Sequence, residues 1–101
     1  MGLVFLKRGN KMEFEKALTE LKKGKLITNT NWNGKGMYVF MMKGYVAGVP
    51  ANGALAEATG VTEGCTVQIL PYLMMRNAKG QFVSWLISNM DVFSDEWQVL
   101  E

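Results

Sequence analysis

A chain of 101 residues, 49% hydrophobic and 20% charged, is one domain's worth of foldable protein, which excludes disorder as its main state. Its formal net charge of +2 is too weak to make DNA or RNA the expected partner. With no histidine and the single cysteine Cys65, it lacks the parts for a Ser-His-Asp or Cys-His triad, a His-ligated metal, an internal disulfide or a Cys-rich zinc site.

Residues 1–11 read apart from the rest. Lys7-Arg8-Gly9 is what a purine-rich ribosome-binding site would encode if translated, two residues before Met12, so Met12 is the expected natural start. The alternative is that Leu3 to Leu6 forms a short edge strand. Phe14, Ala17, Leu18 and Leu21 then recur at helical spacing, with Glu13 and Glu15 at the front, Lys22 and Lys23 at the back and Gly24 as the stop. Leu26–Thr28 is a short strand, followed by the polar turn 29–36 and the apolar strand Met37–Lys43. Gly44–Pro50 is extended, and Asn52 caps a small helix over Gly53–Thr59 that Gly60 ends. Cys65–Ile69 and Tyr72–Arg76 are strands on either side of Pro71. Asn77–Gly80 is a hairpin turn leading into the strand Gln81–Leu86. Ser88-Asn-Met-Asp91 resembles a capping box opening one helical turn, and Trp97–Leu100 closes as a strand. The fold class is α+β: one main N-terminal helix on a mostly antiparallel sheet, with short extra helical turns.

Chemistry concentrates in two stretches. In Trp32-Asn-Gly-Lys-Gly-Met37 an indole offers a stacking face, Gly34 and Gly36 let a ligand approach the backbone, and Lys35 supplies a charge for phosphate. The plainer alternative is a hairpin turn whose Trp32 folds back on the core. Gly34-Lys-Gly36 begins a GxGxxG pattern, but Val39 stands where the third glycine belongs and a strand follows, so a dinucleotide-binding crossover is excluded. In Trp85-Leu-Ile-Ser-Asn-Met-Asp91, Ser88 and Asn89 suit ribose hydroxyls or base edges beside an aromatic face, unless Trp85 is core and Ser88 only a cap. Asp91, Asp95 and Glu96 are more simply solvated carboxylates than a metal site. The pairs Met41-Met42 and Met74-Met75 put apolar side chains on both faces of a sheet that one helix cannot cover, which favours self-association. No apolar run reaches the ~20 residues of a bilayer span, so no membrane partner is expected.

Glu13 to Gly24-Lys25, Trp32-Asn-Gly-Lys-Gly-Met37, Trp85 to Asp91 and Asp95-Glu-Trp97 occur in this order, and from Met12 to Glu101 the chain resembles the Thoeris anti-defence protein two family of phages. The resemblance implies a non-enzymatic sponge, without cofactor or metal, in the host bacterial cytoplasm. It implies a homotetramer that sequesters intact cyclic nucleotide immune signals: glycocyclic ADP-ribose and, in some members, cyclic dinucleotides of CBASS systems. By motif, Trp32 would stack on the base while Asn33, Gly34, Lys35, Gly36 and Met37 line the pocket, with Trp85, Ser88, Asn89 and Asp91 contributed by the second stretch. Family members often carry a basic residue before the central proline and a polar one after it. Leu70 and Met74 stand there instead, and Arg76 is the candidate replacement charge. Residues 1–11 are then an extension and 12–101 a single signal-binding domain. The competing functions are an enzyme cleaving such nucleotides, with Asp91 or Glu96 as base, and an interaction module without small ligand.

Overall fold

The computed structural model describes residues 7–101. They form two compact units: the residues up to Met41 together with Leu73–Glu101, and Met42–Tyr72. The expectation for Leu3 to Leu6 lies outside the described residues.

In the first unit, helix α1 (Phe14–Lys22) buries Ala17 and Leu21. Gly24 ends it at φ +91°, where the Gly24 N–H donates to Leu21 O (2.9 Å) and the Lys25 N–H to Glu20 O (3.1 Å). A residue with a Cβ would be strained at that angle, which is why the helix stops there. Strands β1 (Leu26–Asn29) and β2 (Tyr38–Met42) follow, and β5 (Tyr72–Arg76), β6 (Phe82–Ser84) and β7 (Trp97–Leu100) complete a sheet ordered β6-β5-β2-β1-β7. Ile27 lies opposite both Val39 and Val99, so alternation puts these three on one face with Trp97. That face receives Ala17 and Leu21 of α1, and together they make the core. Each fully buried Leu, Ile or Val there contributes about 1.5–3 kcal/mol. Tyr38, Phe40 and Phe82 form a second aromatic row, with ring centroids 6.1 and 5.8 Å apart.

Residues 7–12 run antiparallel to β7. Lys7 and Glu101 exchange backbone hydrogen bonds, as do Met12 and Trp97, and the Gly9 N–H donates to Val99 O at 2.8 Å. The register slips by one residue between Gly9 and Met12, and the Gln98 side-chain amide donates to the Gly9 carbonyl at that bulge (3.0 Å).

The second unit is a two-stranded sheet of β3 (Tyr45–Pro50) and β4 (Thr66–Ile69), linked through α2 (Gly53–Thr59). Asn52 caps α2 by accepting from the Leu55 N–H (2.8 Å), and Gly60 ends it at φ +82°.

Several expected strand ends shift by one or two residues. The strand from Met37 starts at Tyr38, because the Met37 carbonyl accepts from the Thr28 hydroxyl (2.8 Å). The one from Gly44 starts at Tyr45, since Gly44 turns at φ +66° against the Ile69 and Leu70 carbonyls. The strand expected to reach Leu86 ends at Ser84, and the chain bends from Trp85 into α3 (Asn89–Val92).

Candidate functional site

The two stretches singled out by their chemistry converge within the first unit. Asn29, at the end of β1 and 2% exposed, is the post on which the first stretch turns. Its side-chain oxygen accepts from the Asn31 N–H (2.9 Å), its amide donates to Ser94 Oγ (3.0 Å), and its carbonyl accepts from the Trp32 N–H (3.1 Å). The Thr30 N–H donates to the Glu96 carbonyl (3.1 Å), tying the same turn to the approach of β7. Every polar group of the Asn29 side chain is thereby used, as its burial requires.

Trp32 folds back from this turn and stays half-buried. Its ring stands edge-on to the fully buried Trp97, with centroids 5.3 Å apart at 88°, and to Trp85 at 6.4 Å and 71°. Trp85 also meets Trp97 edge-on at 6.1 Å, and Phe14 of α1 backs Trp97 at 5.5 Å. Such tilted pairs satisfy the ring quadrupoles and add about 0.5–1.5 kcal/mol each beyond area burial.

Helix α3 closes this aromatic group. Ser88 caps it, its hydroxyl accepting from the Asp91 N–H at 3.1 Å. Half of the expected capping box is therefore present. The Asp91 carboxylate, which would return to Ser88 in a full box, instead accepts from the Trp32 indole N–H at 3.4 Å. The Asp91 carbonyl accepts from the Trp97 indole N–H at 2.9 Å. One residue thus holds two of the three indoles through its side chain and its backbone.

A second cluster lies where the glycine loop meets the β5–β6 turn. Arg76 Nη1 donates to the Gly36 carbonyl at 2.8 Å. Gly36 sits at φ +73°, and a Cβ at Gly34 would fall 2.5 Å from the Ala78 Cβ and 2.6 Å from Met37 Sδ. Gly34 is therefore required for close packing and Gly36 for its backbone angle. Asn33, Lys35, Ser88 and Asn89 are exposed around these clusters, and Met37 is half-buried.

The structure thus brings Trp32, Trp85 and Asp91 together, and separately joins Gly34, Gly36 and Met37 to Arg76. Sequence reasoning missed Asn29, Ser94 and Ala78. An Asn ending a strand before a polar turn was the available signal for the first; nothing in the sequence marked the other two. Two hollows lie elsewhere, one of about 530 Å³ lined by Lys11, Met12, Glu13, Lys16, Asp95 and Glu96, the other of about 370 Å³ in the second unit beside Tyr45 and Tyr72. Neither contains an expected ligand residue. Among the described residues, no helix is long and apolar enough to cross a membrane, and no group of three Cys, Asp or Glu is placed to hold a metal ion.

The model of the Thoeris anti-defense 2-like domain matches residues 12–100. A relative named Thoeris anti-defense 2, from Bacillus phage SP01, is 27% identical over 93 residues, covering 89% of this chain and 96% of that protein. The chain belongs to the Thoeris anti-defense 2-like family, and that membership supports a phage anti-defence role.

Proposed function

We propose that the protein binds cyclic nucleotide immune signals and holds them intact, so that the effector they would activate stays silent. The observation that carries this reading is the meeting of Trp32 with Trp85 and Asp91, residues more than fifty positions apart in sequence. Half-buried indoles supply stacking surface, and the exposed Asn33 and Lys35 of the same loop and Asn89 of α3 supply polar and cationic groups for ribose and phosphate. Glycocyclic ADP-ribose is the first ligand, with cyclic dinucleotides as the second class. Retention without cleavage agrees with a chain that has no histidine, in which the Asp91 carboxylate is engaged by an indole N–H.

Assembly belongs to the same proposal. Leu86, Met90 and Phe93 are 92%, 87% and 85% exposed on and beside α3. Three large apolar side chains so open to water suit burial against further copies of the chain, in a homotetramer.

Thermal unfolding with and without glycocyclic ADP-ribose tests the binding. Ligand at 100 times its dissociation constant adds about 2.7 kcal/mol, a rise of roughly ten degrees or more in Tm at this chain length. Ligand recovered intact after heat denaturation separates holding from cleavage. Trp32→Ala should abolish the shift, and because the ring also packs on Trp97 it should lower the ligand-free Tm by several degrees. A Trp32→Ala protein that still binds, or hydrolysed ligand in the recovered pool, refutes the proposal.

A further inference from the structure

Arg76 has the character of a ligand-binding cation: it lies beside a glycine loop and forms no ion pair among the described residues. Its geometry points elsewhere. Nη1 is committed to the Gly36 carbonyl at 2.8 Å. The guanidinium lies so close to two glycine backbones that a Cβ at Gly36 would be 2.7 Å from Nη1 and one at Gly80 would be 3.2 Å from Nη2. The root of the side chain is fixed as well, because Arg76 pairs with Phe82 in the β5–β6 ladder. The turn beyond it is rigid on its own account. The Asn77 side-chain oxygen accepts from the Lys79 and Gln81 N–H groups at 3.0 Å, and its amide donates to Gln81 Oε1. One residue further along, Ala78 fills the space left by the missing side chain at Gly34.

We propose that Arg76 is a positioning residue, which clamps the Trp32–Gly36 loop onto the β5–β6 turn through the Gly36 carbonyl and so presents the loop in its binding shape before any ligand arrives. The part concerning affinity rests on the sequestration reading above; the clamp itself does not. A charged donor on a backbone carbonyl is stronger than a neutral one, and a planar fork inserted between two backbones fixes direction as well as distance. The benefit is pre-organisation. A loop already held loses less conformational freedom on binding, so the complex dissociates more slowly. The paired contacts at Gly34 with Ala78 and Gly36 with Arg76 form one interlock, and breaking either one should release the same loop.

The test uses full-length protein carrying Arg76→Gln, Arg76→Lys, Gly34→Ala, or the Gln and Ala changes together. Backbone 15N order parameters without ligand read the clamp, because among the described residues none of the amides of 33–37 donates a hydrogen bond whose loss exchange could report. Arg76→Gln should lower the order parameters over residues 33–37 while Ile27 and Val39 stay rigid, and Arg76→Lys, which retains a charged donor, should recover part of the difference. Affinity for glycocyclic ADP-ribose should fall tenfold or more in Arg76→Gln and in Gly34→Ala, with the double variant no worse than the weaker single one. Unchanged order parameters over 33–37 in Arg76→Gln overturn the clamp. A looser loop with unchanged affinity overturns its positioning role, and additive losses in the double variant make Arg76 an independent ligand contact. If the wild-type protein binds neither glycocyclic ADP-ribose nor a cyclic dinucleotide, the sequestration reading fails while the order parameters still decide the clamp.

Discussion

At the scale of residues, the candidate site depends on side chains that make two kinds of contact at once. Trp32 presents a half-buried face yet leans on the core ring of Trp97, and Asp91 serves one indole with its carboxylate and another with its carbonyl. The residue types were legible in the sequence, because an indole, two glycines and a lysine in a polar turn are conspicuous. Their partners were not. Whether Trp32 folds inward depends on Asn29 and on α3, which only the tertiary structure brings to it. Asn29 is the sharpest case. Replacing it by alanine removes the acceptor of the exposed Asn31 N–H and the donor to the half-buried Ser94 Oγ, which still accepts from the Glu96 N–H at 3.1 Å, so each lost bond costs about 0.5–1.5 kcal/mol. Asn29→Ala should therefore lower the urea midpoint at unchanged slope and weaken ligand binding through the displaced turn; an unaltered midpoint would show that water replaces the amide without loss.

At the scale of elements, local signals sufficed wherever the boundary is set by the backbone itself. Helix α1 stops at Gly24, α2 runs from the Asn52 cap to Gly60, and β5 turns at Asn77–Gly80, because cap, positive φ and hairpin chemistry act within a few residues. Strand ends set by distant partners were misplaced: Met37 is held by Thr28, and Trp85, though its N–H still donates to the Leu73 carbonyl (3.1 Å), carries its ring into the indole cluster. The segment before α1 is of the second kind. Nothing in Lys7 to Lys11 marks a strand, yet these residues pair along β7, and the Lys11–Glu96 ion pair adds a contact at 2.9 Å. Deleting residues 1–11 removes the bonds made by Lys7 and Gly9 but keeps those of Met12. Amide exchange at Glu101, whose N–H donates to the Lys7 carbonyl, should rise sharply while that at Trp97 stays protected. Equal exchange at Glu101 in the two forms would mean that this edge pairing is not maintained in solution.

For the whole molecule, apolar surface exceeds what a lone protomer buries. The Met42–Tyr72 unit has one buried hydrophobic residue, Ala51, while Tyr45, Val46 and Leu70 are more than half exposed. A two-stranded sheet with so little beneath it is marginal without further cover. In the first unit the same imbalance gathers at Leu86, Met90 and Phe93. That the sheet would be apolar on both faces was legible from the methionine pairs; the concentration around α3 was not, because a four-residue helix carries no periodic stripe. The paired change Leu86→Glu and Phe93→Glu should convert the proposed tetramer into smaller species in native mass spectrometry while preserving the protomer's circular dichroism. A mass unchanged from wild type would place the assembly surface elsewhere.

Trp32, Trp85 and Trp97 are all of the chain's tryptophans, and they share one cluster. The protein's ultraviolet emission therefore originates from a single locality, with no distant fluorophore of the same kind to dilute it. A purine placed against the outer ring would quench that emission directly, giving a label-free optical titration of the site without altering an atom of the protein.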